Sequence, residues 1–313
     1  MSAGSLALWG LLLALVGVFA FRSARLLRPM LAAAPAARFD QPGLRFRGLL
    51  RAVGLHERLL KIGYAGALHA MILVSFLVLA TAIIESFGSR LFPGFSLMPI
   101  GGDTWIAALQ DIFAVVMLVG VGMAAWQRYV LKPARFRGSN SGDATIIYLL
   151  IVAIVVSMLL EASFGLVAVT VNPHAWRPLG RLIAEALIAL GVTTNGAAQA
   201  ASAMSWLHIA AILSFLVYIP GSKHRHMFLA APNIYFRSLS PKGQLPKPTP
   251  KPESQPTNEA PFHPLSWKDM LDVYSCTECG RCQAACPAYA SGLPLSPKRL
   301  MLDLPDFVIV REA

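Results

Sequence analysis

Four cysteines, the only four in the 313-residue chain, are gathered in CTECGRCQAACP at residues 276–287. Cys276, Cys279 and Cys282 follow Cys-x-x-Cys-x-x-Cys spacing; three residues later comes Cys286, then a proline. Two intervening residues make a tight turn that points successive thiolates at neighbouring corners of one cube, so this is the ligand spacing of a [4Fe-4S] cluster. Zinc sites usually pair two separate Cys-x-x-Cys knuckles, because a tetrahedral ion takes ligands from different directions. A disulfide framework is disfavoured, since residues three apart in a tight turn bridge poorly. In two-cluster proteins the fourth cysteine of each run ligates the other cluster, yet this sequence has no second run. Cys286 is therefore expected either to close the cube with the other three or to serve a second cluster whose remaining ligands lie outside this chain.

A second set of candidates is histidine in apolar surroundings. His69 lies in IGYAGALHAMILVSF, His208 in MSWLHIAAIL, and His224 and His226 in GSKHRHMF. Each could donate a hydrogen bond to a neighbouring helix. Alternatively, neutral imidazoles on facing helices are axial ligands for b-type haem. Asp111 and Glu161 are further ionisable residues within apolar runs, where a quinone headgroup or a proton path could use them and where pairing with Ser, Thr or backbone serves as well.

The elements that must position these residues are membrane spans. The chain is 56% hydrophobic and 14% charged, with a mean hydropathy of +0.58, far from an ordinary soluble domain. Apolar runs at about 5–21, 62–84, 105–126, 145–169 and 203–219 approach or exceed the roughly 20 helical residues that cross a hydrocarbon core. The reading is an all-α membrane protein: a five-helix transmembrane bundle over 1–237, a linker over 238–264, and a small α-helical iron–sulfur segment over 265–313. Of the 27 Lys and Arg, 24 fall between the first and second runs, between the third and fourth, or after the fifth, against three in the two opposite loops. That bias predicts an amino terminus outside and a cytoplasmic tail. The net charge of +11 is then a topology signal and calls for no nucleic acid. No basic residue precedes the first run, while RSARLLR follows it, the reverse of a cleaved secretory signal.

Residues 241–264 hold eight prolines and read as a polyproline-rich linker able to hold the segment beyond it clear of the membrane or let it swing. In LSWKDMLDVYS, Ser266 and Asp269 have capping-box spacing, and Trp267, Met270, Leu271 and Tyr274 share one helical face leading to Cys276. A further helix should start at Ser296-Pro297. The chain stops soon afterwards, as expected of a fragment or a split gene.

On a ruler of 1.5 Å per residue, His69 lies roughly 6 Å to the cytoplasmic side of its span's middle and His208 roughly 9 Å to the outer side, a mismatched pair. His224 and His226 lie on the same side as His69, offset by roughly 9 to 20 Å before tilt and a kink at Pro220 are allowed for. His208 and His226 are 18 residues apart, five whole turns of a regular helix. His69 with His226 is the preferred pair, with His224 as the alternative.

SGDATIIYLLIVAIVVSMLLE, the WLH of the fifth run and YIPGSKHRHMFLAAPNIYFR resemble the haem-b gamma subunit of respiratory nitrate reductase. The following WKDMLDVYSCTECGRCQAACPAYASGLPLSPKRLMLDL is similar to ferredoxin-type segments of membrane-bound iron–sulfur oxidoreductases related to heterodisulfide reductase, a group that includes electron-transfer-flavoprotein:menaquinone oxidoreductases. The resemblance implies two haems stacked between the second and fifth spans. It assigns His69 and His226 to the inner haem and His208 to the outer one, whose other ligand would stand at Leu79. One haem is thus expected and a second is in doubt. It also implies a bacterial or archaeal inner membrane, a quinone, especially menaquinone, and a soluble partner such as an electron-transfer flavoprotein or a cysteine-rich reductase subunit. The expected function is a respiratory electron-transfer subunit joining a cytoplasmic [4Fe-4S] cluster to the quinone pool through haem b. The alternative is a haem-free membrane anchor for the iron–sulfur segment. A transporter with a proton relay would leave the cysteines unexplained, and no phosphate-binding loop or hydrolytic constellation stands out.

Overall fold

The computed structural model describes residues 3–241 and 265–312, where every named element is helical; residues 242–264 of the expected linker lie outside that description. In chain order come α1 (Ala3–Ala32), α2 (Pro42–Leu49), α3 (Gly63–Leu91), α4 (Trp105–Trp126), α5 (Ser141–Val167), α6 (Pro178–Ala189), α7 (Thr194–Tyr218) and α8 (His226–Tyr235). Of these, α1, α3, α4, α5 and α7 are long and apolar enough to cross a membrane, which makes this an all-α membrane protein. Helices are the natural solution in lipid, because each backbone N–H and C=O is satisfied within its own segment.

Two spans begin earlier than hydropathy suggests. Asn140 caps α5 by accepting the Asp143 N–H at 3.1 Å, and Thr193 caps α7 by accepting the Gly196 N–H at 3.2 Å. A polar cap therefore sets each start, well before the apolar window opens.

The bundle core gathers Leu79 and Ala82 from α3, Ala114 and Met117 from α4, Val155 and Met158 from α5, and Phe215 from α7. Leu77, Val119, Leu149 and Leu207 on the same helices are exposed, as lipid-facing positions should be. Of the two glycines in the GVG of α4, Gly120 is the packing glycine. A β-carbon there would press on the Ile72 side chain at 3.0 Å and the Leu68 carbonyl at 3.3 Å, whereas Gly122 faces open space.

The fifth span does not continue as a regular helix to His226. It stops at Tyr218 and gives way to two short 3-10 turns, Ile219–Gly221 and Lys223–Arg225. Pro220 has no N–H to donate, and Ser222, in extended backbone, caps the second turn by accepting the His224 N–H at 3.1 Å. The five-turn register between His208 and His226 is therefore lost. Helix α8 is then tied to α2 by Arg45, which is buried and donates to the carbonyls of Tyr235 and Arg237 at 3.2 and 2.8 Å.

The cysteine segment comprises α9 (Trp267–Tyr274), α10 (Arg281–Ala284), α11 (Pro287–Ala290) and α12 (Pro297–Glu312). The capping box forms as expected: the Ser266 hydroxyl accepts the Asp269 N–H and the Asp269 carboxylate accepts the Ser266 N–H. Instead of standing clear, the segment is packed on the end of the bundle. Ala34 N–H donates to Leu265 O at 3.1 Å, Trp267 N–H donates to Ala34 O at 3.0 Å, and Met270, Val273 and Tyr274 bury against Leu26, Met30 and Leu229.

Candidate metal and cofactor sites

The docked segment brings its cysteines to the cytoplasmic-predicted end of the spans. Within CTECGRC, Glu278 (φ +55) and Gly280 (φ +70) both adopt the left-handed conformation, which produces the tight turns between thiols. Glycine is required at 280, because a β-carbon there would collide with the Arg135 carbonyl oxygen. The 134–140 loop between the third and fourth spans clasps this turn. Arg135 donates to Cys279 O at 3.1 Å, the Ser139 hydroxyl donates to Glu278 O at 3.2 Å, and the Glu278 carboxylate accepts from Asn140 N at 2.7 Å and Lys223 Nζ at 2.9 Å. Lys298 of α12 donates to the carbonyls of Arg135 and Arg137, and Arg225 donates to Tyr274 O at 2.8 Å.

Cys282 is exposed, and Cys276, Cys279 and Cys286 are half-buried, all as free thiols. Burial pushes the Cys276 thiol up, and the neighbouring Cys279 and Cys282 push it further. At Cys279 burial also raises the thiol, but the Arg281 N–H and guanidinium, with Nε 3.4 Å from Sγ, outweigh it and lower the pKa overall. Cys286 serves differently: its Sγ accepts the Tyr289 N–H at 3.5 Å at the start of α11. Among the described residues, no three His, Cys, Asp or Glu side chains stand close enough to bind one metal ion directly.

Beneath the cysteines lies a group of histidines. The rings of His69 and His226 are 6.3 Å apart, centre to centre, at 50°. His224 stands 5.1 Å from His226 and 5.1 Å from Phe215. The separation of roughly 9 to 20 Å read along straight helices does not survive, because the turn after Tyr218 folds His226 back toward α3. Arg281, beside Cys279, lies within electrostatic reach of His69. Burial holds the His224 imidazole down to about 3, with His226 and His69 adding to the effect, and burial lowers His226 as well. Both therefore stay neutral near pH 7, the form that ligates metal.

The two paired rings fit an axial-ligand role at the level of single atoms. His226 Nδ1 is 3.0 Å from the Lys223 carbonyl, and His69 Nδ1 is 3.1 Å from His56 Nε2. With each Nδ1 engaged, Nε2 is the ring nitrogen left to each imidazole for a metal. A metal bonded to two imidazoles at about 2 Å each would hold their ring centres about 6 Å apart. His56, buried in a polar stretch outside the apolar runs, was not legible as part of this group.

Toward the opposite end, His208 is 1% exposed. Its Nδ1 faces the Ile154 carbonyl at 2.9 Å and the Ser157 hydroxyl at 3.3 Å, and its Nε2 has no hydrogen-bond partner. Leu79, on α3, is packed in the apolar core. The nearby acids are partnered by arginine. Asp111 pairs with Arg177 at 3.6 Å and accepts the Gly180 N–H at 2.9 Å; Glu161 pairs with Arg90 at 3.6 Å, and Arg90 also donates to Ser205. The partners come from loops and span ends, so pairing with Ser, Thr or backbone was an incomplete expectation.

No protein-family model matches the chain, and no solved structure matches it. Curated relatives do. The chain is 32% identical over 286 residues to FadF of Bacillus subtilis, named as a probable iron–sulfur-binding oxidoreductase, with 88% of this chain aligned to 39% of that protein. It is 28% identical over 251 residues to an EtfAB:quinone oxidoreductase of Syntrophomonas wolfei, aligning 77% of this chain to 34% of the relative. A shorter match, 48% over 40 residues, is to a probable membrane-anchored ferredoxin of Chromohalobacter salexigens and covers 13% of this chain and 6% of that one. The chain thus spans well under half the length of these relatives.

Proposed function

We propose that this chain is the membrane electron-transfer part of a quinone-linked oxidoreductase, carrying a [4Fe-4S] cluster on Cys276, Cys279 and Cys282, with Cys286 as the fourth candidate ligand, and a haem b between His69 and His226. The names of the relatives support iron–sulfur electron transfer at a membrane, and one of them names a quinone. The single observation that carries the haem reading is the 6.3 Å pairing of His69 with His226, each with its Nδ1 engaged. Bound there, the two groups would each supply one-electron redox chemistry. The protein's own residues do the positioning. The 134–140 loop, Lys223 and Lys298 clamp the cysteine turn onto the bundle, and the turn after Tyr218 delivers His226 to His69. Arg281 bridges the two sites electrostatically. A soluble electron-transfer flavoprotein or a cysteine-rich reductase subunit on the cytoplasmic side is the proposed partner, with menaquinone the proposed membrane substrate. The charge bias of the loops supports placing the cysteine end in the cytoplasm of a bacterial or archaeal cell.

The test is the visible spectrum of purified, reduced protein together with iron and sulfide analysis. His69→Ala or His226→Ala should abolish the low-spin haem b absorbance while the protein still inserts, and Cys279→Ala should lose cluster iron but keep the haem. Wild-type protein with cluster iron and no haem would establish the membrane-anchor reading instead.

A further inference from the structure

We infer that His56 is the positioning residue for His69, accepting a hydrogen bond from His69 Nδ1–H and thereby fixing both the ring orientation and the tautomer of that haem ligand. This rests on the assignment of His69 as an axial ligand. His56 precedes its span in LHERLLK, a stretch with no apolar run, yet it is only 7% exposed.

The local fold explains how it gets there. A π-helical turn, Leu50–Gly54, ends α2's path, and His56 then reverses the chain with φ +51, its carbonyl accepting both Leu59 and Leu60 N–H at 2.9 Å. The 3-10 turn Leu60–Ile62 and Gly63, at φ +24, lead directly into α3. This hook lies so tightly on the first turn of α3 that a β-carbon at Gly66 would collide with the Leu59 carbonyl oxygen. A non-glycine residue in left-handed backbone is uncommon, and one that persists is held by its surroundings and clusters at functional sites. Here the result is an imidazole whose Nε2 stands 3.1 Å from His69 Nδ1, with ring centres 5.3 Å apart.

The chemistry differs from that of the other buried histidines. His226 and His208 each face a backbone carbonyl from Nδ1, and a carbonyl can only accept, so their tautomer is set with Nδ1 protonated. At His69 the partner at Nδ1 is another imidazole. For His69 to ligate through Nε2, its Nδ1 must carry the hydrogen, and His56 Nε2 must then be the acceptor with its own hydrogen on Nδ1. Such an acceptor raises the basicity of the ligand, and losing it typically costs 10–100-fold in metal affinity.

The experiment compares His56→Ala, His56→Gln and His56→Asn with wild type and with His69→Ala, in the full chain purified in detergent. Haem per inserted protein, the ferric low-spin electron paramagnetic resonance spectrum and the haem midpoint potential are read. His56→Ala should weaken haem retention about 10–100-fold, shift the low-spin signal and raise the potential, because a less basic ligand favours the ferric state less. His56→Gln, whose amide oxygen reaches close to the position of Nε2, should restore wild-type values. His56→Asn tolerates the left-handed backbone but stops short of His69, so it should resemble the alanine variant and separate the hydrogen bond from backbone strain. Wild-type occupancy, spectrum and potential in His56→Ala would overturn the inference. So would a complete loss matching His69→Ala that glutamine does not restore, which would make His56 itself a ligand or a folding determinant. Wild-type protein without haem would overturn the axial-ligand assignment itself, and this inference with it.

Discussion

The two ends of the bundle treat buried polarity differently. At the cysteine end, His56, His69, His226 and His224 form a chain of imidazoles with neighbouring ring centres 5.1 to 6.3 Å apart, and the engaged Nδ1 atoms of His69 and His226 leave Nε2 open. At the other end a single buried imidazole, His208, has an Nε2 without a hydrogen-bond partner and, among the described residues, no companion ring; the acids there pair with arginine, and Gln110 links Arg177 to Thr81. The contrast teaches that a buried histidine becomes a ligand candidate through its neighbours. His208 is the more deeply buried and has the same Nδ1-to-carbonyl contact as His226, yet Leu79 occupies the place where the resemblance would put a second imidazole. The cysteine end thus has two facing imidazoles and the opposite end one.

That comparison is most strongly tested by Asp111→Ala. Asp111 is 1% exposed, and its loss would leave the Arg177 guanidinium without a counter-charge, held only by its hydrogen bond to Gln110 Oε1 at 3.0 Å, and the Gly180 N–H without its acceptor. Removing one partner of a buried ion pair costs about 3 kcal/mol or more, so thermal unfolding in detergent should drop markedly. Haem retained per folded molecule should not change; a parallel loss of haem would show that the two ends are coupled. A smaller effect is expected for His208→Leu. It removes one hydrogen bond to Ile154 and also the unpartnered Nε2, contributions that offset each other to within about 1 kcal/mol. The absorbance of the haem proposed between His69 and His226 should remain in full. Halved haem content would reveal a second haem held by His208 and a ligand other than Leu79. The smallest effect belongs to the docking of the cysteine turn. In Glu278→Gln, the amide oxygen can still accept from Asn140 N–H and Lys223 Nζ, and Lys223 keeps Asp143 at 3.8 Å, so no buried group is left unpaired and the cost should be about 1 kcal/mol, read as faster hydrogen exchange across 276–290 with cluster and haem intact. Release of the whole segment would mean that Glu278 carries the docking which the contacts of Met270, Val273 and Tyr274 are expected to hold.

Much of this was readable in one dimension. The five spans were visible because hydropathy is a local property, and the run at 105–126 coincides with α4; the starts of α5 and α7 were not visible, since Asn140 and Thr193 cap them outside the apolar windows. The capping box at Ser266 and the proline start of α12 were equally local and appear where the spacing puts them. Depth along the helices, by contrast, gave the side of the membrane on which His69 and His226 meet and not their separation. The offset of roughly 9 to 20 Å on that ruler is closed by the break after Tyr218, which includes the kink allowed for at Pro220. Arg90 and Arg177 were counted only as loop charges, yet each reaches back to an acid within a span.

The sequence by itself determined the thiolate spacing of Cys276, Cys279 and Cys282, the five apolar spans and the uneven distribution of basic residues, because each depends on residue type and on separation along the chain. Only the tertiary structure decided that the cysteine turn is clasped by the 134–140 loop, that the rings of His69 and His226, paired in the sequence by side of the membrane alone, stand 6.3 Å apart, and that His56 joins them. Those outcomes depend on close approaches between distant segments: the Gly280 turn against Arg135, the hook at Leu59 against Gly66, and the folding back of the chain after α7. A close approach of that kind is a property of packed surfaces, and no local pattern of residues encodes it.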